Sequence, residues 1–112
     1  MLNITIGLFL LAAVGGLVMA TQIFKGNKPA VAIAALHGPL AAIGLLLVFW
    51  LWMQSGASQV MSIALGVLVA AAFGGFFLLS FHVRNKPHPK PVVVLHALLA
   101  VAGVATLLVA AL

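Results

Sequence analysis

The chain is a duplication. Leu36-His37 and Leu95-His96 lie 59 positions apart, and the same spacing relates Ala12-Ala13 to Ala71-Ala72, Gly15-Gly16 to Gly74-Gly75, Thr21 to Ser80, Leu40 to Leu99, Ala41 to Ala100 and Gly44 to Gly103. Loop residues recur as well: Asn27-Lys28-Pro29 returns as Asn85-Lys86-Pro87 at a spacing of 58, one residue out of step. Each half holds two long apolar runs. The duplication therefore restricts the chain to two copies of one hairpin, each with a histidine deep in its second arm.

Those arms belong in a bilayer. With 66% hydrophobic and 4% charged residues and neither Asp nor Glu, the chain cannot present the polar surface of a soluble domain. Four runs of roughly 20 residues, the length that crosses hydrocarbon as a helix, are expected at about 4–24, 31–53, 60–82 and 91–112. None alternates as a barrel strand does. The fold expected is an all-α membrane protein, a four-transmembrane-helix up-down-up-down bundle forming one domain over 1–112. Its repeats, 1–54 and 59–112, share hairpin order and charge bias, so they are parallel repeats about an axis along the membrane normal. No soluble domain is expected beside them. The absence of cysteine excludes disulfides, thiolate metal sites and thiol redox chemistry.

All five cations, Lys25, Lys28, Arg84, Lys86 and Lys90, fall in the first and third loops. The positive-inside tendency then puts loops 25–29 and 84–90 in the cytoplasm and both termini outward, with a bacterial inner membrane the expected location. The basic charge is an orientation signal, with attraction to anionic lipid heads as a secondary effect. No basic stripe with interleaved aromatics exists, so nucleic acid is not an expected partner. The first run is expected to be retained rather than cleaved as a signal peptide, because no cation precedes it.

His37 follows Pro29 by eight residues and His96 follows Pro87 by nine. At 1.5 Å per residue, both sit roughly 10 Å into their spans on the basic-loop side. His37, Ala41 and Gly44 run i, i+4, i+7 along one face of the second helix, as do His96, Ala100 and Gly103 along the fourth. Two imidazoles at matched depth, each over a strip of small side chains, describe a slot for a flat apolar cofactor. Haem b suits it: the imidazoles ligate iron from opposite faces, small residues leave room for the ring, and no carboxylate is required. Its propionates would meet Lys28, Arg84 and Lys86.

Other readings of the same residues stand beside this one. A membrane histidine also serves as an interhelical hydrogen-bond donor, and small residues at four-residue spacing let helices approach closely. Ala12, Gly16 and Ala20, and likewise Gly66, Ala70 and Gly74, are read as packing faces. His82 ends the third span and breaks the repeat, its counterpart being Ile23 or Phe24. It is a candidate additional metal ligand, and with His37 and His96 it would give a His-only copper or zinc site. His88, between Pro87 and Pro89, reads as solvated loop. Trp50 and Trp52 read as interfacial anchors. Phe73, Phe76 and Phe77 read as lipid-facing.

The Leu-His and Asn-Lys-Pro repeats resemble small four-span proteins of bacterial membranes, a likeness that covers the whole chain and implies no particular activity. His37 and His96 also resemble the general plan of membrane b-type cytochromes, in which histidines from two helices hold a haem inside a four-helix bundle. That resemblance implies electron transfer rather than substrate turnover, in an electron carrier or a haem-bearing subunit of a larger respiratory complex. Homodimerisation through the glycine faces is a further expectation. The alternative is a non-enzymatic accessory or scaffold subunit with packing histidines and no cofactor, and a small permease or channel stands third. A proton-coupled exporter needs a membrane carboxylate, a mercury carrier needs cysteines, and a hydrolase needs a nucleophile with its base; this chain has none of these.

Overall fold

The computed structural model describes all 112 residues, as four helices and no strand. They are α1 (Leu2–Phe24), α2 (Val31–Gln54), α3 (Gln59–Val83) and α4 (Lys90–Ala111). Every one is long and apolar enough to cross a membrane, and the chain is an integral membrane protein. The expected spans agree to within one or two residues at each end. α3 starts at Gln59 because the Ser58 side chain accepts a hydrogen bond from the Met61 amide. α4 starts at Lys90 with Pro91 in its first turn, where a missing N–H costs nothing. α2 runs unbroken through Pro39.

The ends of α1 and α3 follow the same rule and settle the register of the repeat. After α1, Gly26 takes φ 81°, its amide bonds to Ile23 O, and the Asn27 amide reaches back to Gln22 O. After α3, Asn85 takes φ 55°, its amide bonds to His82 O, and the Lys86 amide reaches back to Phe81 O. Both are Schellman caps, which demand a left-handed residue that Gly or Asn supplies at least cost. Gly26 and Asn85 are thus equivalent, and the 59-residue spacing runs through the loops without interruption. The Asn-Lys-Pro echo is displaced by one residue because Asn in the second copy does the work of Gly in the first. His82 is consequently the counterpart of Ile23, and His88 of Pro29.

Helices adjacent in the chain pack side by side, and α1 also packs on α4, while no Cα atom of α1 comes within 8 Å of α3, nor any of α2 within 8 Å of α4. The bundle is a closed square with α1 opposite α3 and α2 opposite α4. It measures 43 × 22 × 20 Å, and its long dimension matches a bilayer of about 40–45 Å with its headgroups. Large apolar side chains such as Leu11, Leu36, Phe73, Phe76 and Leu98 cover the outside, as a lipid-facing surface requires.

The buried core lies in the half of the bundle nearer the chain ends. Ile6, Phe9, Val48, Met61, Ala64, Leu68 and Leu107 form one cluster there, with Val48, Ala64 and Leu107 wholly buried. The α2–α3 loop closes the same end: the Trp52 indole N–H donates to Ser62 Oγ at 2.8 Å, and the Trp52 ring stacks on Phe49. Trp50 remains exposed.

Candidate functional site: a histidine pair across the bundle

His37 and His96 are each the seventh residue of their helices, which puts both roughly 9 Å from the helix start at 1.5 Å per residue. Their helices stand on opposite corners of the square, so the two rings meet across its centre. The ring centroids are 6.3 Å apart and the planes cross at 78°.

Each ring is fixed by the helix next to it. His37 Nδ1 lies 2.7 Å from Ala12 O and His96 Nδ1 lies 2.7 Å from Ala71 O. A carbonyl oxygen only accepts, so each Nδ1 carries the proton and donates it. In the neutral imidazole that leaves Nε2 with its lone pair, and neither Nε2 has a hydrogen-bond partner within the chain. This is the tautomer a metal-ligating histidine adopts when its other nitrogen is held by a carbonyl.

The space for the rings comes from the glycine pairs. A Cβ added at Gly16 would lie 3.0 Å from His37 Cε1, and one added at Gly75 would lie 3.1 Å from His96 Cε1. A Cβ added at Gly15 would lie 3.6 Å from His37 Cβ, and one added at Gly74 would lie 3.5 Å from His96 Cβ. Gly15-Gly16 and Gly74-Gly75 are therefore the seats of the imidazoles. Read from the sequence, Gly16 and Gly74 were helix-packing residues. What they admit is a ring from the neighbouring helix.

Of the small residues expected along the slot, Ala41 and Ala100 are half-buried beyond the histidines, and Gly44 and Gly103 are buried. A Cβ at Gly44 would come 2.9 Å from Phe9 Cζ, and one at Gly103 would come 2.5 Å from Leu68 Cγ. Phe9 and Leu68 are themselves repeat equivalents. These glycines accept side chains of α1 and α3, which close the centre of the bundle on the side away from the basic loops. On the outside, an apolar groove of about 360 Å³ between α1 and α2, lined by Leu11, Val14, Gly15, Ile33 and Leu36, reaches His37.

The basic residues gather at one end. Lys28 and Lys86 are exposed there. Arg84 is folded onto its own helix, its guanidinium donating to Ser80 O and Ser80 Oγ and lying 4.7 Å from the Phe81 ring centre. Lys90 reaches over Phe24, with Nζ 5.7 Å from that ring centre. No carboxylate side chain exists to pair with any of them.

His82 does not join the central pair. It faces His88, with ring centroids 6.0 Å apart, and nowhere do three His, Cys, Asp or Glu side chains converge. The structure does not bring the three histidines together: His82 lies in the last turn of α3, whereas the central rings sit two turns inside α2 and α4. His88 is half-buried rather than freely solvated. Burial, then the nearby His82 and Lys28, hold its imidazole below the ordinary value of 6.5.

Comparison of the chain with protein family models, with curated proteins and with solved structures found no match.

Proposed function

We propose that the protein is a small b-type haem protein of the bacterial inner membrane, with His37 and His96 as the two axial ligands. The observation that carries this reading is the pair of unpartnered Nε2 lone pairs on rings locked from behind in the middle of an apolar bundle. A neutral imidazole whose Nδ1–H is held by a carbonyl presents its Nε2 lone pair as a metal ligand, and two such nitrogens on neighbouring rings suit one metal ion. The ring centroids stand 6.3 Å apart, close enough that both imidazoles could hold one iron. The donor set fits haem: two neutral imidazoles, glycine on both flanking helices, apolar side chains around them and no carboxylate needed.

Bound haem would supply one-electron redox chemistry. The chain's own part is positional. Ala12 and Ala71 carbonyls hold the rings and fix their tautomer, Phe9 and Leu68 set how far a ring system can extend away from the loops, and the lipid-facing side chains exclude water. Propionates would extend toward the end that carries Lys28, Arg84 and Lys86. With both axial positions taken by protein, electron transfer is favoured over oxygen activation. The protein then serves as an electron carrier or as a haem-bearing subunit of a respiratory assembly, with the basic loops cytoplasmic. The test is stoichiometry: haem titrated into the apoprotein in micelles should saturate sharply at about one per chain. A gradual, non-saturating rise in absorbance would contradict it.

A second reading also has an observation behind it. The two Nδ1–H donations staple α1 to α2 and α3 to α4, which is a complete structural role for a scaffold subunit. It leaves the Nε2 atoms unexplained, and for that reason it stands second.

A further inference from the structure

The 59-residue repeat breaks at the basic end in a particular way: Ile23 becomes His82 and the buried Pro29 becomes His88, and these two replacements lie against each other with ring centroids 6.0 Å apart. The second half has acquired a titratable pair where the first half is apolar. Both imidazoles are half-buried, so they are held in place rather than free in solvent. Phe81 supports them from one side, 6.4 Å from His88, and carries the Arg84 guanidinium on its face. Lys28, from the loop of the other repeat, is close enough to disfavour a proton on His88. Two imidazoles thus meet at one place with the Lys28 charge near them, in a chain with no Asp or Glu to neutralise them.

A cation is unwelcome there, because Lys28 and Arg84 already raise the potential and only two ligands are on offer. An oxyanion answers all of it. The cluster lies at the ends of the helices, which in a bilayer is the level of the lipid headgroups. We propose that His82, His88 and Lys28 form a site for the phosphate of an anionic phospholipid headgroup. Lys28 and the imidazole N–H groups donate to the phosphate oxygens, and Arg84, braced by Ser80, adds charge from the side. This site does not depend on haem.

Protonation strengthens it. The charged and titratable groups facing His88 are Lys28 from the α1–α2 loop and His82 from α3, while Arg84 lies on the Phe81 ring and Lys90 at the start of α4 is turned toward Phe24. None is acidic. Lowering the pH through the titration of His88 therefore adds positive charge to the cluster, and headgroup occupancy rises.

The test uses the full chain in neutral detergent, with phosphatidylglycerol, phosphatidylcholine or inorganic phosphate as probes. Lipid retention is read by native mass spectrometry, and the histidine rings by NMR. One phosphatidylglycerol should be retained per chain, with the His82 and His88 signals moving and those of His37 and His96 unmoved. Lys28→Gln should lower occupancy about fivefold, the equivalent of the ~1 kcal/mol one basic side chain contributes at an anionic surface, and His88→Gln should abolish the rise in occupancy on lowering the pH. Lys25→Gln removes the same charge outside the cluster and should leave occupancy within about twofold. Equal losses in Lys25→Gln and Lys28→Gln would overturn the proposal in favour of smeared loop charge. Equal retention of phosphatidylcholine would overturn it too, and inorganic phosphate moving the two rings as effectively as the lipid would overturn the lipid assignment.

Discussion

The two ends of this bundle are built on opposite principles. Toward the chain termini the centre is filled: Phe9 packs against Gly44, Leu68 against Gly103, and Val48 and Leu107 are wholly buried between them. Toward the basic loops the facing positions are Gly15-Gly16 and Gly74-Gly75, and what they accommodate is a pair of imidazoles with unpartnered nitrogens. In a bilayer, packing rather than the hydrophobic effect holds helices together. The filled end can thus maintain the square while the glycine end is left free to be shaped by a ligand. Stability and chemistry are divided along the bundle axis.

That division can be broken from either end. Removing one central imidazole has the largest effect on the chemistry: His37→Ala or His96→Ala should eliminate bis-histidine haem absorption, while helix content by circular dichroism stays within about a tenth of the parent because the filled end is untouched. On stability the largest effect comes from Gly103→Ala. The new methyl would meet Leu68 Cγ at 2.5 Å in a centre with no slack, and overpacking of that kind costs about 1–3 kcal/mol. Thermal unfolding in micelles should register the loss, and Gly44→Ala should follow in the same direction.

Gly75→Ala sharpens the comparison because its clash is milder and falls on a ring. A methyl 3.1 Å from His96 Cε1 displaces the imidazole by a few tenths of an ångström, at a cost of about 0.5–1.5 kcal/mol if it is forced off rotamer. The expected result is a spectral change in bound haem larger than the change in melting temperature. Gly103→Ala should give the reverse. If both variants moved stability and spectra in proportion, the two ends would not be separate.

The smallest effect concerns His88. With its folded value held below 6.5 by burial and by His82 and Lys28, the unfolded chain binds more protons than the folded one between those two values. Stability is therefore full above 6.5 and declines as pH falls toward the folded value. His88→Gln should flatten that acid-side decline, measured by melting temperature at pH 5 to 7. An unchanged slope would show that His88 is not under strain.

Much of the architecture was legible in the residues. Run lengths gave the four helices, the missing carboxylates gave the membrane, and the 59-residue spacing placed His37 and His96 at one depth. The strips of small residues beyond His37 and His96 marked the inner faces of α2 and α4, but which helix each histidine leans on was not legible, because all four helices are apolar around their whole circumference. Gly15-Gly16 and Gly74-Gly75 could have been identified as ring seats, since they repeat in step with the histidines, but glycine pairs in membrane helices ordinarily signal backbone contact. Filling of Gly44 and Gly103 by Phe9 and Leu68 was hidden in the same way: the two fillers are equivalent in position but not in identity. The loop echo pointed to a slipped register, and only the left-handed conformations of Gly26 and Asn85 show that the spacing is unbroken. The meeting of His82 with His88 depends on that loop path, which no helical pattern encodes.

The most direct test of the central claim is the reduced-minus-oxidised absorption spectrum of the protein purified from haem-replete cells, recorded for the parent and for His37→Ala and His96→Ala. The account predicts sharp low-spin b-type bands in the parent, at about one haem per chain, and their loss in each single variant. A colourless, folded parent, or bands that survive unchanged in both variants, would contradict it and leave the histidines as staples between helices.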